Sequence, residues 1–507
     1  MSQARRAVAG ATWNHLARGA EFALMYLTSV LLARALGLAE NGRLAGALSA
    51  AHLIIAAASF GLEASLNRHL PQIPDPQALS VPALLVRRAL LVRLLLLAAA
   101  GGGAALAASY WCSASAGVRT FLPLVVFYAA VRSLGSLFSV ALVARFRTAE
   151  AGVLALGARG AELAGVLFLF PLRPSVESAL LLLAAGGLLQ ASGGGFLALR
   201  GLFRRGVTGP AAGLLAFGGA YWLNVVVEYF LGRQGDLLLL TLLLPQTTES
   251  SRYDVAFSVV QTAQMLFTMG LGGVMFASFA RLAGRSLPEL DRFYAFMVRT
   301  VSLLTIPCFA FLLFNAGSVV LLLYGRAYTP AAELICIMAG FRILSRLAAG
   351  PENAEYLLAR GFPGRVVAVG IFSAALNVGG NLLLIPIAGA VGAALAGGCA
   401  NAAANLLGFA AVRHLGKAEL EWKSWLRLLL CCVPASGLAS VLPLGEGMGG
   451  TALRAGLYAG LSLGALRLAP PLRREDAHRA GTGHRALGAL AGFLTERTVP
   501  PRGDGLG

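Results

Sequence analysis

Charge is scarce in this sequence. Of its 507 residues only 13% are Asp, Glu, Lys or Arg, whereas 57% are hydrophobic. Soluble domains carry about 25% charged residues, so this composition excludes an ordinary soluble protein and indicates an integral membrane protein. Lysine is rarer still, because Lys417 and Lys423 are the only two among 41 basic residues. Strand-length alternation is also missing, which favours membrane-spanning helices over an outer-membrane barrel.

Motifs for enzymatic chemistry are missing as well. The six cysteines are scattered and form no Cys-x-x-Cys or Cys/His cluster, so neither a disulfide framework nor a zinc site is predicted. A P-loop, a nucleophile elbow, a His-Glu-x-x-His motif and a dinucleotide fingerprint are all absent in credible contexts. The sequence therefore predicts no catalytic site, no metal and no cofactor. The two N-terminal arginines precede a polar-interrupted segment, which predicts a first spanning helix and no cleaved signal peptide.

Apolar runs of membrane length fill most of the chain and predict an all-α, polytopic fold with about fourteen transmembrane helices. The segments lie near residues 10–33, 44–62, 89–110, 120–142, 152–170, 177–198, 211–232 (or to 244), 253–279, 297–323, 331–349, 366–386, 389–411, 425–443 and 451–469.

The net charge of +18 would suggest a nucleic-acid partner in a soluble protein. Here the basic residues fall in alternate connections, as the positive-inside rule requires, so no nucleic-acid partner is predicted. The basic connections contain Arg5/Arg6, Arg87/Arg88, Arg145/Arg147, Arg200/Arg204/Arg205, Arg281/Arg285/Arg292, Arg360/Arg365, Arg413/Lys417/Lys423 and Arg473/Arg474. This alternation predicts that both termini are cytoplasmic.

An internal repeat with an offset of about 209 residues divides the chain. Gly10-Ala11-Thr12-Trp13 aligns with Gly219-Ala220-Tyr221-Trp222, and the pairs Glu40/Glu249 and Arg43/Arg252 follow without a gap. Six predicted spans separate the copies, which indicates parallel repeats. The predicted organisation is a six-helix bundle at 1–210, a second at 211–412, two additional helices at 413–470 and a basic cytoplasmic tail at 471–507, with a short amphipathic helix near 484–496.

Several segments resemble one family of transporters. They are LLARALGLAENGRLAGALSA with GLEASLNRHLP, GRQGDLLLLTLLL with SRYDVAFSVVQTAQ, LLLYGRAYTPAAELICIMAG, and ALNVGGNLLLIPIAGAVGAALAGGCANAAANLLG. In this order they are similar to the oligosaccharide flippases of the multidrug/oligosaccharidyl-lipid/polysaccharide exporter superfamily, which include the polysaccharide biosynthesis proteins and O-antigen flippases. The likeness covers about residues 10–412. The neutral Ser258 and Gln261 depart from relatives that move the peptidoglycan precursor, which argues against lipid II as the substrate.

The resemblance implies a transporter that moves a polyprenyl-pyrophosphate-linked oligosaccharide to the outer leaflet of the bacterial inner membrane by alternating access. The glycan would be an O-antigen, capsule or exopolysaccharide repeat unit. The implied partners are this lipid-linked oligosaccharide, membrane lipids and other polysaccharide assembly proteins, such as a polymerase and a chain-length regulator.

Ionisable residues inside the predicted spans are the candidate site, because each costs roughly 2.5–3.5 kcal/mol on insertion. Arg18 is the candidate pyrophosphate anchor, since a guanidinium keeps its charge and binds phosphate oxygens in pairs. Glu21 lies one turn further on, so the alternative is a local ion pair that neutralises both.

A second group of candidates would bind the sugar. Arg132, Arg342 and Arg346 could form a basic patch, or could instead snorkel to the cytoplasmic boundary. Gln261 and Gln264 could bind sugar hydroxyls, or could join helices.

Glu228, Arg233 and Asp236 could hold a coupling ion or gate the transporter, or Arg233 and Asp236 could form a structural pair. Arg159 and Glu162 are predicted to form a structural ion pair. The pairs Asn377/Asn381 and Asn401/Asn405 are predicted to serve close helix packing.

Three other functions stay open. A cation-coupled multidrug exporter of the same superfamily is one, although the spans contain more Arg than Asp and Glu. A membrane glycan polymerase or ligase would need a large external loop, and all external connections are short. A non-transporting scaffold of a polysaccharide assembly is the third.

Overall fold

The computed structural model describes residues 3–72, 80–110, 116–199, 214–269, 271–416, 419, 421–443, 445, 447–469 and 471. Within these ranges the protein is built from α-helices joined by short turns and 3₁₀ segments, and it contains no strand. The predicted tail helix near 484–496 and the basic connection at 200–205 lie outside the described residues.

The helices of the first half are α1 (Gln3–Ser59), α2 (Leu62–His69), α3 (Ser80–Tyr110), α4 (Ala116–Ala144), α5 (Thr148–Phe168), α6 (Val176–Ala198), α7 (Leu214–Leu231) and α8 (Arg233–Leu243). Those of the second half are α9 (Thr247–Thr268), α10 (Leu271–Ala283), α11 (Leu287–Leu323), α12 (Ala331–Ser345), α13 (Pro351–Ala359), α14 (Pro363–Leu415), α15 (Trp422–Val441) and α16 (Met448–Leu468).

The predicted all-α membrane fold is confirmed. Eight of the helices in the described part of the chain are long and apolar enough to cross a membrane. Two of these helices, α1 and α14, each contain two of the predicted spans. The predicted span 253–279 is divided between α9 and α10, and the proposed continuation of the seventh span to 244 corresponds to α8, which begins after Gly232.

The two longest helices are broken at glycines. Gly37 in α1 has φ 75° and Gly389 in α14 has φ 57°, which are left-handed values that a helix interior does not use. Pro386 precedes the second break and lacks the N–H that would continue the helix. Gly37 lies between the first two predicted spans, so α1 consists of two helical segments that meet at a kink.

The described residues form two compact units. The first contains Met1–Val255 and Ala374–Gly397, and the second contains Ala256–Ser373 and Gly398–Gly507. In the first unit, small side chains such as Ala47, Ala51 and Ala129 are fully buried beside Phe170 and Leu180. Hydrocarbon gives no hydrophobic drive to helix association, so close packing of small residues holds these helices together.

The second unit has two core clusters. One is aromatic and surrounds Phe279, Tyr294 and Tyr356, whose rings meet at centroid distances of 5.4–6.4 Å. The other packs α15 and α16 against α11 through residues such as Ile306 and Cys432. Large apolar side chains outside the cores, such as Leu95 at 72% and Ile387 at 82%, are exposed, as expected for a surface that faces lipid.

The repeat reappears in local geometry. Arg43 donates to Glu40 at 2.8 Å, and Arg252 donates to Glu249 at 2.7 Å, so both copies form the same i,i+3 ion pair. The Glu249 carboxylate also accepts from the backbone N–H of Ala390 at 2.9 Å, just after the break in α14.

Candidate functional site

Glu162 is the centre of a charge network in the first unit. Its side chain is 2% exposed, and its Oε2 accepts from Arg159 Nη1 at 2.8 Å while its Oε1 accepts from Arg132 Nη1 at 3.3 Å. The Nε of Arg159 also lies 3.5 Å from Glu21 Oε1. The network therefore joins α1, α4 and α5, and its two carboxylates balance its two guanidinium groups.

Arg18 lies outside this balance. The predicted pair of Arg159 with Glu162 is confirmed, but the local pair of Arg18 with Glu21 is not formed, because Glu21 reaches the arginine of a neighbouring helix instead. Arg18 is exposed and makes no ion pair with another described residue. Its positive charge is thus left over once the network is complete.

Helix α6 makes room for this network with glycines. A Cβ at Gly186 would lie 2.3 Å from Glu162 Oε1, and a Cβ at Gly187 would lie 2.8 Å from Arg132 Cδ. Real side chains do not approach so closely, so the Gly-Gly step in α6 permits two charged side chains to be buried against it.

A second ion pair in the first unit was missed by the sequence analysis. Arg93 is fully buried, its Nη2 lies 2.5 Å from Glu63 Oε1, and its Nη1 donates to Ser133 Oγ at 2.7 Å. The signal was a single arginine within the leucine-rich run of α3, and an arginine at that depth needs a partner.

Asp236 is buried among neutral donors. It is 2% exposed; Asn377 and Asn381 donate to its Oδ1 at 2.7 and 2.6 Å, and Tyr253 donates to its Oδ2. No basic side chain of the described residues pairs with it. The amide oxygens of Asn377 and Asn381 are also buried and have no hydrogen-bond partner.

One alternative for this region is wrong. Arg233 does not pair with Asp236, because it binds Asp254 of α9 through Nε at 2.8 Å. Asn377 and Asn381 both bind the buried carboxylate of Asp236, and their role in helix packing stays a prediction. Glu228 is exposed and accepts a hydrogen bond from Asn224 at 2.8 Å. It takes part neither in the Arg233–Asp254 pair nor in the hydrogen bonds to Asp236.

In the second unit Arg346 is buried in a bidentate ion pair. Its Nη1 and Nη2 donate to the two carboxylate oxygens of Glu352 at 3.0 and 2.9 Å, and Ser302 Oγ accepts at 3.2 Å from its Nε. Glu352 is fully buried. Snorkelling to the membrane boundary is therefore the wrong interpretation for this arginine.

A small polar cavity in the second unit brings together three predicted sugar-binding residues, Gln264, Arg342 and Arg346. Asn401 and Asn405 also line it, whereas Gln261 does not. Gln264 Oε1 and Ser345 Oγ are buried there without a hydrogen-bond partner. At about 50 Å³ the cavity holds water but not a sugar.

Comparison with solved structures identifies the class of the fold as that of membrane flippases and exporters. "Lipid II flippase MurJ, inward closed conformation" superimposes with a TM-score of 0.73 at 11% identity, covering 90% of this chain and 98% of that one. An inward-facing multidrug resistance MATE family transporter of the MOP superfamily gives a TM-score of 0.60 at 13% identity, covering 78% and 94%. MATE in the bent conformation gives 0.52 at 12% identity, covering 85% and 99%.

The sequence match is more specific. Residues 203–333 match the model of the family described as polysaccharide biosynthesis protein. The predicted resemblance, to this family within the MOP-superfamily fold, is confirmed. No curated protein matches the chain in a sequence search.

The Glu162 network gives a prediction about stability. Glu162→Ala leaves Arg132 buried without a counter-charge and leaves Arg159 only the longer contact with Glu21, so the free energy of unfolding should fall by about 3–5 kcal/mol. Glu40→Ala removes a carboxylate from an exposed i,i+3 pair, and it should cost about 1 kcal/mol or less. Unfolding in mixed detergent micelles measures both.

A double variant separates pairing from packing. Arg159→Gln combined with Glu162→Gln should be more stable than Glu162→Gln alone, because the uncompensated charge is removed with its partner. Equal losses for Glu162→Ala and Glu40→Ala would contradict the network.

Proposed function

We propose that the protein is a flippase that moves a polyprenyl-pyrophosphate-linked oligosaccharide across the bacterial inner membrane by alternating access. The cargo is an O-antigen, capsule or exopolysaccharide repeat unit. One observation carries the proposal: residues 203–333 match the polysaccharide biosynthesis protein family in a chain whose fold follows that of a lipid II flippase over 90% of its length. Transport without an enzymatic step agrees with the sequence, which has no catalytic motif.

Arg18 is the proposed anchor for the pyrophosphate. A pyrophosphate cannot enter hydrocarbon unaided, because its anionic oxygens would lose their hydration at great cost. A guanidinium offers paired donors and a permanent charge. Glu21, Arg132, Arg159 and Glu162 neutralise one another, so Arg18 is the positive charge that this network leaves for a ligand.

The sugar is proposed to meet the polar residues of the second unit, Gln261, Gln264 and Arg342. The unsatisfied oxygen of Gln264 and the two asparagines beside it suit hydroxyl groups. The 50 Å³ cavity is too small for a saccharide, so binding requires a wider conformation. Arg346 is held by Glu352, and we assign it the role of positioning this polar surface. Arg132 is held by Glu162 in the first unit, and we assign it a positioning role within that network.

The repeat and the charge distribution support the remaining features of the proposal. Matching Glu–Arg pairs at 40/43 and 249/252 support two repeated halves at 1–210 and 211–412. The alternating arginine-rich connections support cytoplasmic termini. Lipid-linked oligosaccharide, membrane lipids and polysaccharide assembly proteins are the proposed partners.

Asp236 is the proposed coupling residue. A buried carboxylate that has only neutral donors lacks a counter-charge, and the amide oxygens of Asn377 and Asn381, which have no hydrogen-bond partner, lie beside it. This set of hard oxygen ligands fits a small cation such as Na⁺. A bound cation would supply the missing counter-charge, while Tyr253 and the two asparagine amides hold the carboxylate in place.

A prediction about ion binding follows. Replacing choline by Na⁺ should raise the melting temperature of the purified protein, because a ligand that binds only the folded state stabilises it. Asp236→Asn should abolish this rise, and Asp254→Asn, which removes the nearby carboxylate paired with Arg233, should retain it. If Na⁺ raises the melting temperature of Asp236→Asn as much as that of the wild type, Asp236 is not the cation ligand.

Translocation tests the function itself. Proteoliposomes containing wild-type protein should move a fluorescent polyprenyl-pyrophosphate saccharide between leaflets, and Arg18→Ala should reduce the rate by about tenfold or more, the value of one lost charged hydrogen bond. Arg173→Ala, at an exposed arginine outside the network, is the matched control and should retain the rate.

A cationic dye distinguishes the alternative transporter. Gradient-driven movement of the dye, with the saccharide left in place, would overturn the flippase proposal and identify a cation-coupled drug exporter. Saccharide movement at the same rate in Arg18→Ala and wild type would instead reject only the anchor.

A further inference from the structure

A second and larger cavity opens at the other end of the second unit. Its volume is about 660 Å³, and it lies where α11 and α15 end and α16 begins. It is lined by Phe314, Asn315, Gly317, Ser318, Leu321, Arg326, Thr329, Ser440 and Arg454. Nothing in the proposed translocation pathway uses these residues.

The charge of this cavity is positive. Arg454 Nη1 donates to Ser318 Oγ at 2.8 Å, while its Nε is buried and has no hydrogen-bond partner. Arg326 is exposed at the rim, and the described lining contains no carboxylate. Two guanidinium groups and several hydroxyls therefore face one space without an acidic partner, unlike the buried arginines Arg93 and Arg346.

The cavity lies at a membrane boundary. Helix α11 carries Arg292 near its start and Ser318 near its end, and these are separated by about 26 residues, or roughly 39 Å along a helix. That distance approaches the thickness of a bilayer with its head-group regions, about 40–45 Å. Arg292 at one boundary therefore places Ser318 and Arg326 at the other.

Apolar side chains at the rim face outward. Phe314 in the lining is 48% exposed, and Val441 and Leu453, which adjoin lining residues in sequence, are 80% and 61% exposed. A site with basic and hydroxyl groups inside and large apolar residues at its edge suits a ligand with an anionic head and a hydrocarbon chain.

We propose that this cavity binds the phosphate group of a membrane lipid. Arg454 and Arg326 bind the phosphate oxygens, the Ser318 hydroxyl donates a further hydrogen bond, and the chain lies against Phe314 and its apolar neighbours. The hydroxyls of Thr329 and Ser440 donate to the backbone carbonyls of Arg326 and Gly437 and only add polarity to the lining. An arginine that only snorkelled would extend its whole head into water. Arg454 instead has one N–H fixed on Ser318 and its Nε buried, so its guanidinium is held at the cavity wall. The inference does not rest on the proposed translocation activity.

Lipid binding to the purified full-length protein tests this site. Native mass spectrometry in detergent would titrate the delipidated protein with phosphatidylglycerol and, separately, with phosphatidylcholine. The wild type should prefer phosphatidylglycerol, and Arg454→Gln should weaken that binding by about tenfold or more, as expected for loss of a charged hydrogen bond. Arg326→Gln, at an exposed position that folding does not require, should also weaken it. Arg173→Gln, at an exposed arginine of the first unit, is the charge-matched control and should bind as the wild type does.

Competition then identifies the source of the phosphate. Displacement of phosphatidylglycerol by polyprenyl pyrophosphate at lower concentration assigns the site to the pyrophosphate lipid, and equal competition assigns it to anionic lipids in general; both support a lipid-phosphate site. Displacement by inorganic pyrophosphate as effectively as by the lipid would overturn the lipid assignment. Phosphatidylglycerol affinities within about twofold of wild type in both arginine variants would overturn the site itself.

Discussion

Hydrocarbon does not tolerate an unpaired charge, and this constraint explains which helices contact one another inside each unit. Glu162 joins α4 and α5 by binding Arg132 and Arg159, and Glu21 adds α1 to the same network. Arg93 ties α3 to α2 through Glu63, and Arg346 ties the end of α12 to α13 through Glu352. Removing either member of such a pair leaves an expensive buried charge, so these contacts favour one arrangement of helices that apolar packing also stabilises.

Arg18 and Asp236 depart from this rule in the first unit, and the proposed translocation function is assigned to them. Arg18 is the basic residue that remains when the carboxylates around it are already bound to other arginines. Asp236 is a buried acid supported by amides and a phenol instead of a cation. An anionic group of the cargo would neutralise Arg18, and a coupling cation would neutralise Asp236. This complementarity links the architecture of paired charges to the proposed transport of a pyrophosphate-linked glycan.

The sequence was sufficient for the helical fold because hydrophobic length and arginine alternation are local signals, and the Arg159–Glu162 pair was predictable because both members lie on one helix. Partners from distant segments were not predictable. Nothing in the local pattern showed that Glu21 would pair with Arg159 and not with Arg18. The pattern also did not show that Arg233 would bind Asp254. Nor did it show that Asn377 and Asn381 would donate hydrogen bonds to Asp236. Such pairings depend on tertiary packing, and spacing along one helix does not encode it.

The claim that Arg18 carries the surplus charge is tested most directly by affinity for the cargo head group. Binding of polyprenyl pyrophosphate to detergent-solubilised protein would be measured for wild type, Arg18→Gln and Glu21→Gln. If Glu21 pairs with Arg159 and not with Arg18, Arg18→Gln should weaken binding of polyprenyl pyrophosphate by about tenfold or more. Glu21→Gln should leave the affinity unchanged or raise it, because a nearby negative charge is removed. Unchanged affinity in Arg18→Gln, or an equal loss in both variants, would contradict the account.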